Sequence, residues 1–112
     1  MNLIKRAPRD KEHPYVQVSK QPLDDKALSL SGKGLLVFIL SKPDDWQVYV
    51  DALAKELKES KNTVARYINE LIERRYCVRT LRSRGTGGTF SGYDYIFFET
   101  LEQREEWGNE HA

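Results

Sequence analysis

VDALAKELKESKNTVARYINELIERRYCVRTLRSRGTGGTFSGYDYIFF, residues 50–98, holds the order of elements that decides the fold. Leu53, Ala54 and Leu57 fall on one face of a helical pattern ending at Leu57, and Asp51, Lys55, Glu56 and Lys58 fall on the other. Lys58 and Glu59 separate it from a second helical pattern. Ser60 is placed to cap that pattern, because its hydroxyl can accept a bond from an otherwise orphaned backbone N–H. At about 100° per residue, Ile68, Leu71 and Ile72 gather with Val64 in one apolar sector, with Tyr67 at its edge. The opposite sector carries Asn62, Arg66 and Asn69, with Thr63 and Glu70 to one side and Glu73 farther along.

After Arg75 the period falls to two. Residues 76–81 read as a strand with Cys77, Arg79 and Leu81 on one face and Val78, Thr80 and Arg82 on the other. Residues 93–98 supply the returning strand. Between them, Gly85, Gly87 and Gly88 permit positive φ and close backbone approach in a long tip flanked by Arg82 and Arg84. A helix pair followed by an arginine-bearing hairpin predicts an α+β winged helix-turn-helix, with about three main helices plus a β-hairpin wing.

Outward from that stretch the chain is simpler. Residues 1–14, basic and marked by Pro8 and Pro14, read as a flexible arm. Residues 15–18 suggest a short strand with Val16 and Val18 on one face, and residues 22–27 a single helical turn. Ser31 is the expected cap of a buried helix over residues 32–40, whose run from Leu35 to Leu40 is apolar on every side. Pro43 forbids its continuation, and Trp46 then anchors the turn. The winged unit is expected to occupy residues 15–99, followed by an acidic tail or linker over residues 100–112.

Length and composition set the limits. At 112 residues, with 39% hydrophobic and 11% aromatic content, the chain suits one domain with one core. A single cysteine, Cys77, excludes an internal disulfide and a cysteine-rich zinc site, and implies a reducing, cytoplasmic setting. No apolar run approaches the roughly 20 residues that span a bilayer, so no membrane partner is expected. The net charge of +1 hides a segregation: residues 55–84 carry nine Lys or Arg against four Glu, whereas residues 99–112 carry five Glu against Arg104. A basic block on the elements that a winged unit presents to phosphate is the footprint of a nucleic-acid binder. The same block also suits a plain solvated face.

The run DKALSLSGKGLLVFILSKPDDWQVYVDALAKELKESKNTVARYINELIERRYCVRT, followed by GTFSGYDYIFF, resembles the N-terminal winged-helix domain of phage and plasmid replication initiators and replisome organisers of the DnaD-like type. Its most distinctive pieces are LSLSGKGLLVFILS, the DDW turn, ALAKEL and the glycine-containing wing before YDY. The resemblance spans about residues 15–99. It implies origin or DNA binding, often coupled to self-association, and a C-terminal domain that contacts other replication proteins. The sequence departs from the pattern at Val50, which stands where a Ser or Thr cap is usual and cannot accept the capping bond. Residues 100–112 then read as the start of an interdomain linker or as the tail of a small standalone protein.

An enzyme is not expected. Neither His13 nor His111 lies in a motif with a nucleophile, and Asp24, Asp25, Asp44 and Asp45 are turn and capping residues without a convergent partner. SGKG at residues 31–34 lacks the earlier glycine and the following Ser or Thr of a phosphate-binding loop, and GTGG has no lysine, so no cofactor and no metal is implied. Cys77 reads as a small core residue. The expected partner is double-stranded DNA, with replication proteins or a second copy of the chain beside it. Asn62, Thr63, Arg66 and Asn69 are the expected groove residues, and Lys58, Lys61, Arg79, Arg82 and Arg84 the expected phosphate contacts. Glu70, Glu73 and the near-neutral total charge leave a second class open: a protein-interaction module, such as a small phage-encoded inhibitor or adaptor that binds a host protein.

Overall fold

The computed structural model describes residues 3–81 and 92–112. Among these residues, five helices and two strands follow in the order α1 (Lys20–Asp24), α2 (Leu30–Leu40), α3 (Val50–Leu57), α4 (Lys61–Glu73), β1 (Cys77–Leu81), β2 (Tyr93–Phe97) and α5 (Leu101–Glu110). β1 and β2 pair antiparallel, with Cys77 opposite Phe97, Arg79 opposite Tyr95 and Leu81 opposite Tyr93. The architecture is an α+β winged helix-turn-helix. Arg82, Arg84 and the glycines of the wing tip lie outside the described residues.

The core forms where three helical stripes meet. α2 contributes Leu35, Leu36 and Ile39, α3 contributes Leu53 and Ala54, and α4 contributes Val64, Ile68 and Leu71, all buried. Tyr76 and Cys77 close the core from the hairpin side. Leu36, Val64 and Leu71 have no exposed surface, and truncating either leucine to Ala removes about 2–5 kcal/mol through lost burial and the cavity left behind. Cys77 is buried in this core, and burial, which penalises the thiolate, pushes its thiol up to about 12.

Several local expectations shift. Ser29, not Ser31, caps α2: its Oγ accepts from the Gly32 N–H at 3.1 Å. The reason lies far along the chain. The Glu70 carboxylate on α4 accepts from the Ser29 N–H at 2.7 Å and from the Ser29 hydroxyl at 2.5 Å, so a distant side chain does the work of the return bond in a capping box. The two helices come so close there that a Cβ on Gly32 would stand 2.8 Å from Glu70 Oε1 and 2.9 Å from Leu28 Cδ1.

Residues 15–18 form no strand and join no ladder among the described residues, and Tyr15 and Val16 are exposed. The alternation read as a strand has no buried face behind it. The first helical turn spans Lys20–Asp24, earlier than residues 22–27, because Ser19 caps it by accepting from Gln21 N–H. Asp25 then leaves the helix to accept the Tyr76 hydroxyl proton at 2.8 Å. Burial and that carboxylate raise the Tyr76 phenol above its ordinary range. Residues 101–110, read as part of an acidic tail, form α5. A capping box between Thr100 and Gln103 starts this helix, and Leu101 N–H donates to Gln21 Oε1 at 2.7 Å, tying it to α1. The Trp107 ring meets buried Phe98 edge-on at 6.2 Å and holds α5 in place.

Glu70→Ala is expected to lower stability by about 1.5–3 kcal/mol, the range for hydrogen bonds to a charged group. Gly32→Ala, whose Cβ displaces the same carboxylate, is expected to cost less in the Glu70→Ala background than in the parent. Urea unfolding of parent, single and double variants checks this; an equal cost in both backgrounds would separate Gly32 from the contact.

Candidate nucleic-acid interface

The turn between α3 and α4 is three residues long, and each has a distinct task. Lys58 takes the left-handed conformation at φ 57°, ψ 43°, reversing the chain direction without a glycine. That reversal lets the Glu59 N–H reach Ala54 O at 2.9 Å, satisfying a carbonyl at the end of α3. Ser60 Oγ then accepts from the Thr63 N–H at 3.1 Å and starts α4. At the other end of α3, Tyr49 stands at the cap position, where its side chain does not cap the helix, and Val50 opens the helix as its first residue.

Burial of Val64, Ile68 and Leu71 fixes the rotation of α4 and thereby turns Lys61, Asn62, Arg66 and Asn69 outward, all exposed. These groups occupy the first turns, ahead of exposed Glu73 at the far end. Thr63 is only half-buried and its hydroxyl accepts from Ser60 at 2.9 Å, which ties it to the cap. Glu70 is half-buried and drawn to Ser29, so this acid does not belong to the outward face. The Arg66 guanidinium lies 5.7 Å from the Tyr67 ring centre, which steadies its base along the helix surface.

On the hairpin, Arg79 is exposed and its guanidinium stacks 4.4 Å over the Tyr93 ring. Stacking restricts a long side chain before any ligand arrives, so less entropy is lost when it binds. β1, the strand that carries Arg79, packs against α4. Of the expected phosphate contacts, Lys58 lies in the turn, Lys61 opens α4 and Arg79 lies on β1, and all three are exposed. Two partners escaped the sequence reading. Tyr93 supports Arg79, and Asp51 on α3 forms an ion pair with Lys61 at 3.2 Å. The cross-strand pattern foretells the first once the register is known; the second depends on the path of the turn.

Fold and interface together define a winged helix-turn-helix domain with a polar outward face on its second helix. A family model described as a helix-turn-helix domain matches residues 26–76, which hold α2, α3 and α4. A solved structure described as "Possible transcriptional regulator from Methanosarcina mazei Go1" is 24% identical, with 82% of this chain and 78% of that chain covered at a TM-score of 0.48. No curated protein matches the chain.

Lys58→Gly is expected to raise stability by about 0.5–1 kcal/mol, because glycine relieves the left-handed penalty of roughly 1–2 kcal/mol and gives back part of it in backbone entropy. Thermal melts check this. A loss of stability would mean that the Lys58 side chain holds the turn.

Proposed function

We propose that the chain binds duplex DNA, inserting α4 from its N-terminus to Asn69 into the major groove while Lys58, Lys61 and Arg79 meet the flanking phosphates. The observation that carries the reading is the division of α4: Val64, Ile68 and Leu71 are buried, Asn62, Arg66 and Asn69 are exposed together, and Glu70 is withdrawn to Ser29. The helix-turn-helix match over residues 26–76 supports the same partner. Amide and guanidinium groups form paired hydrogen bonds with base edges, so Asn62, Arg66 and Asn69 are assigned the readout and the cations the sequence-independent affinity. Arg82 and Arg84 extend the phosphate-binding set by their place in the sequence.

The role assigned to this binding is phage or plasmid replication initiation, or its regulation. That assignment rests on the resemblance of residues 15–99, which also brings replication proteins and a second copy of the chain as further partners. A second reading, docking on another protein, draws on exposed Glu73 and on the exposed acids Glu102, Glu105, Glu106 and Glu110 of α5.

Fluorescence anisotropy on several duplexes across a salt series tests the proposal. Parent affinity is expected to fall steeply with salt. Arg66→Ala is expected to lose discrimination between sequences worth about 1–3 kcal/mol. Replacing Lys58 and Arg79 with Ala is expected to weaken all duplexes alike and reduce the slope of log K against log salt by about 2. Absence of binding at low salt would favour the protein-docking reading.

A further inference from the structure

The ion pair between Asp51 and Lys61 sits at a place where the fold gains little from it. Asp51 Oδ2 lies 3.2 Å from Lys61 Nζ, and the two side chains keep 69% and 67% of their surface in solvent. A pair this open adds little to stability, since water screens it and two side chains must be held still. Its position matters more than its strength. Lys61 is the first residue of α4, next to Asn62, and Asp51 lies in the first turn of α3, so the carboxylate stands at the helix end assigned to the groove. A carboxylate oxygen on a lysine ammonium occupies the same kind of position that a phosphate oxygen would take.

We propose that Asp51 is an intramolecular competitor for the DNA phosphate that Lys61 binds. It holds the Lys61 ammonium in the free protein and must give it up when duplex DNA arrives. The competition lowers affinity for every sequence by the same factor, because neither group touches a base edge. Asp51 thus limits the electrostatic share of binding while leaving the readout by Asn62, Arg66 and Asn69 intact. It sets an acid directly against a cation of the basic block, at the start of α4. This inference rests on the duplex-DNA reading.

The test compares parent, Asp51→Asn, Lys61→Ala and the double variant on random and preferred duplexes across a salt series, with circular dichroism confirming the fold of each. Freeing one lysine ammonium from so exposed an ion pair is expected to raise affinity about two- to fivefold near 0.1 M salt. Asp51→Asn is therefore expected to tighten binding to both duplexes by that factor, to steepen the salt dependence, and to leave the ratio between the duplexes unchanged. In the Lys61→Ala background the gain is expected to shrink, because the contested cation is gone. Unchanged affinity and slope in Asp51→Asn would overturn the proposal. An equal gain with and without Lys61 would also overturn it, since the effect would then be a general field and not a competition. If neither parent nor any variant binds duplex at low salt, the DNA-binding reading itself fails and the inference falls with it.

Discussion

The Glu70 carboxylate, bonded to both the backbone and the hydroxyl of Ser29, is the contact on which the geometry of the domain turns. It joins α4 to the residue that caps the core helix α2, 41 positions earlier in the chain. Ser29 is thereby fixed as the cap of α2, and Gly32 is left as the residue that allows the two helices to approach. The same contact takes an acid off the outward side of α4. What remains there is a lysine, two asparagines and an arginine in the first turns, a surface suited to phosphate and base edges. One hydrogen-bonded carboxylate therefore sets the helix start, the packing distance and the charge of the proposed reading face.

The hairpin is held by a different set of forces. Tyr76 is fully buried; its N–H donates to Leu71 O at 2.8 Å, its carbonyl accepts from Phe98 N–H at 2.9 Å, and its hydroxyl donates to Asp25. That one residue links α4, the end of β2 and the turn after α1. Arg75 reaches it through a left-handed φ of 71°, which swings the chain out of the helix and into the strand. The wing's position relative to α4 is consequently set by a buried aromatic residue and a tight turn. Arg79, stacked on Tyr93, gains its placement from that anchor.

Helix boundaries at α3 and α4 were legible because Leu53, Ala54 and Leu57, then Val64, Ile68 and Leu71, repeat at helical spacing around a serine that caps. The strands were legible within a residue for the analogous reason of period two. The cap of α2 was not, since Ser29 and Ser31 precede the same apolar run and only Glu70, remote in sequence, chooses between them. Residues 15–18 alternate like a strand, but alternation specifies a strand only where a sheet edge or a buried face receives it. α5 was hidden by its five neighbouring acids from Glu99 to Glu110, although Thr100 and Gln103 already stood at capping-box spacing. At the candidate interface, the outward residues of α4 followed directly from the helical period. The partners that tune them, Tyr93 and Asp51, follow from register and from the path of a turn, which composition and periodicity do not carry.

The central claim is that α4 and the adjoining strand, and not α5, form the surface that meets a macromolecular partner, and that the partner is duplex DNA. Amide chemical shifts of the labelled protein, followed while a short duplex is added at low salt, test it most directly. The account predicts shifts concentrated at residues 58–69 and at Arg79, with α5 unmoved and the shifts reversed by added salt. Shifts confined to α5, or a spectrum unchanged at excess duplex, would contradict it.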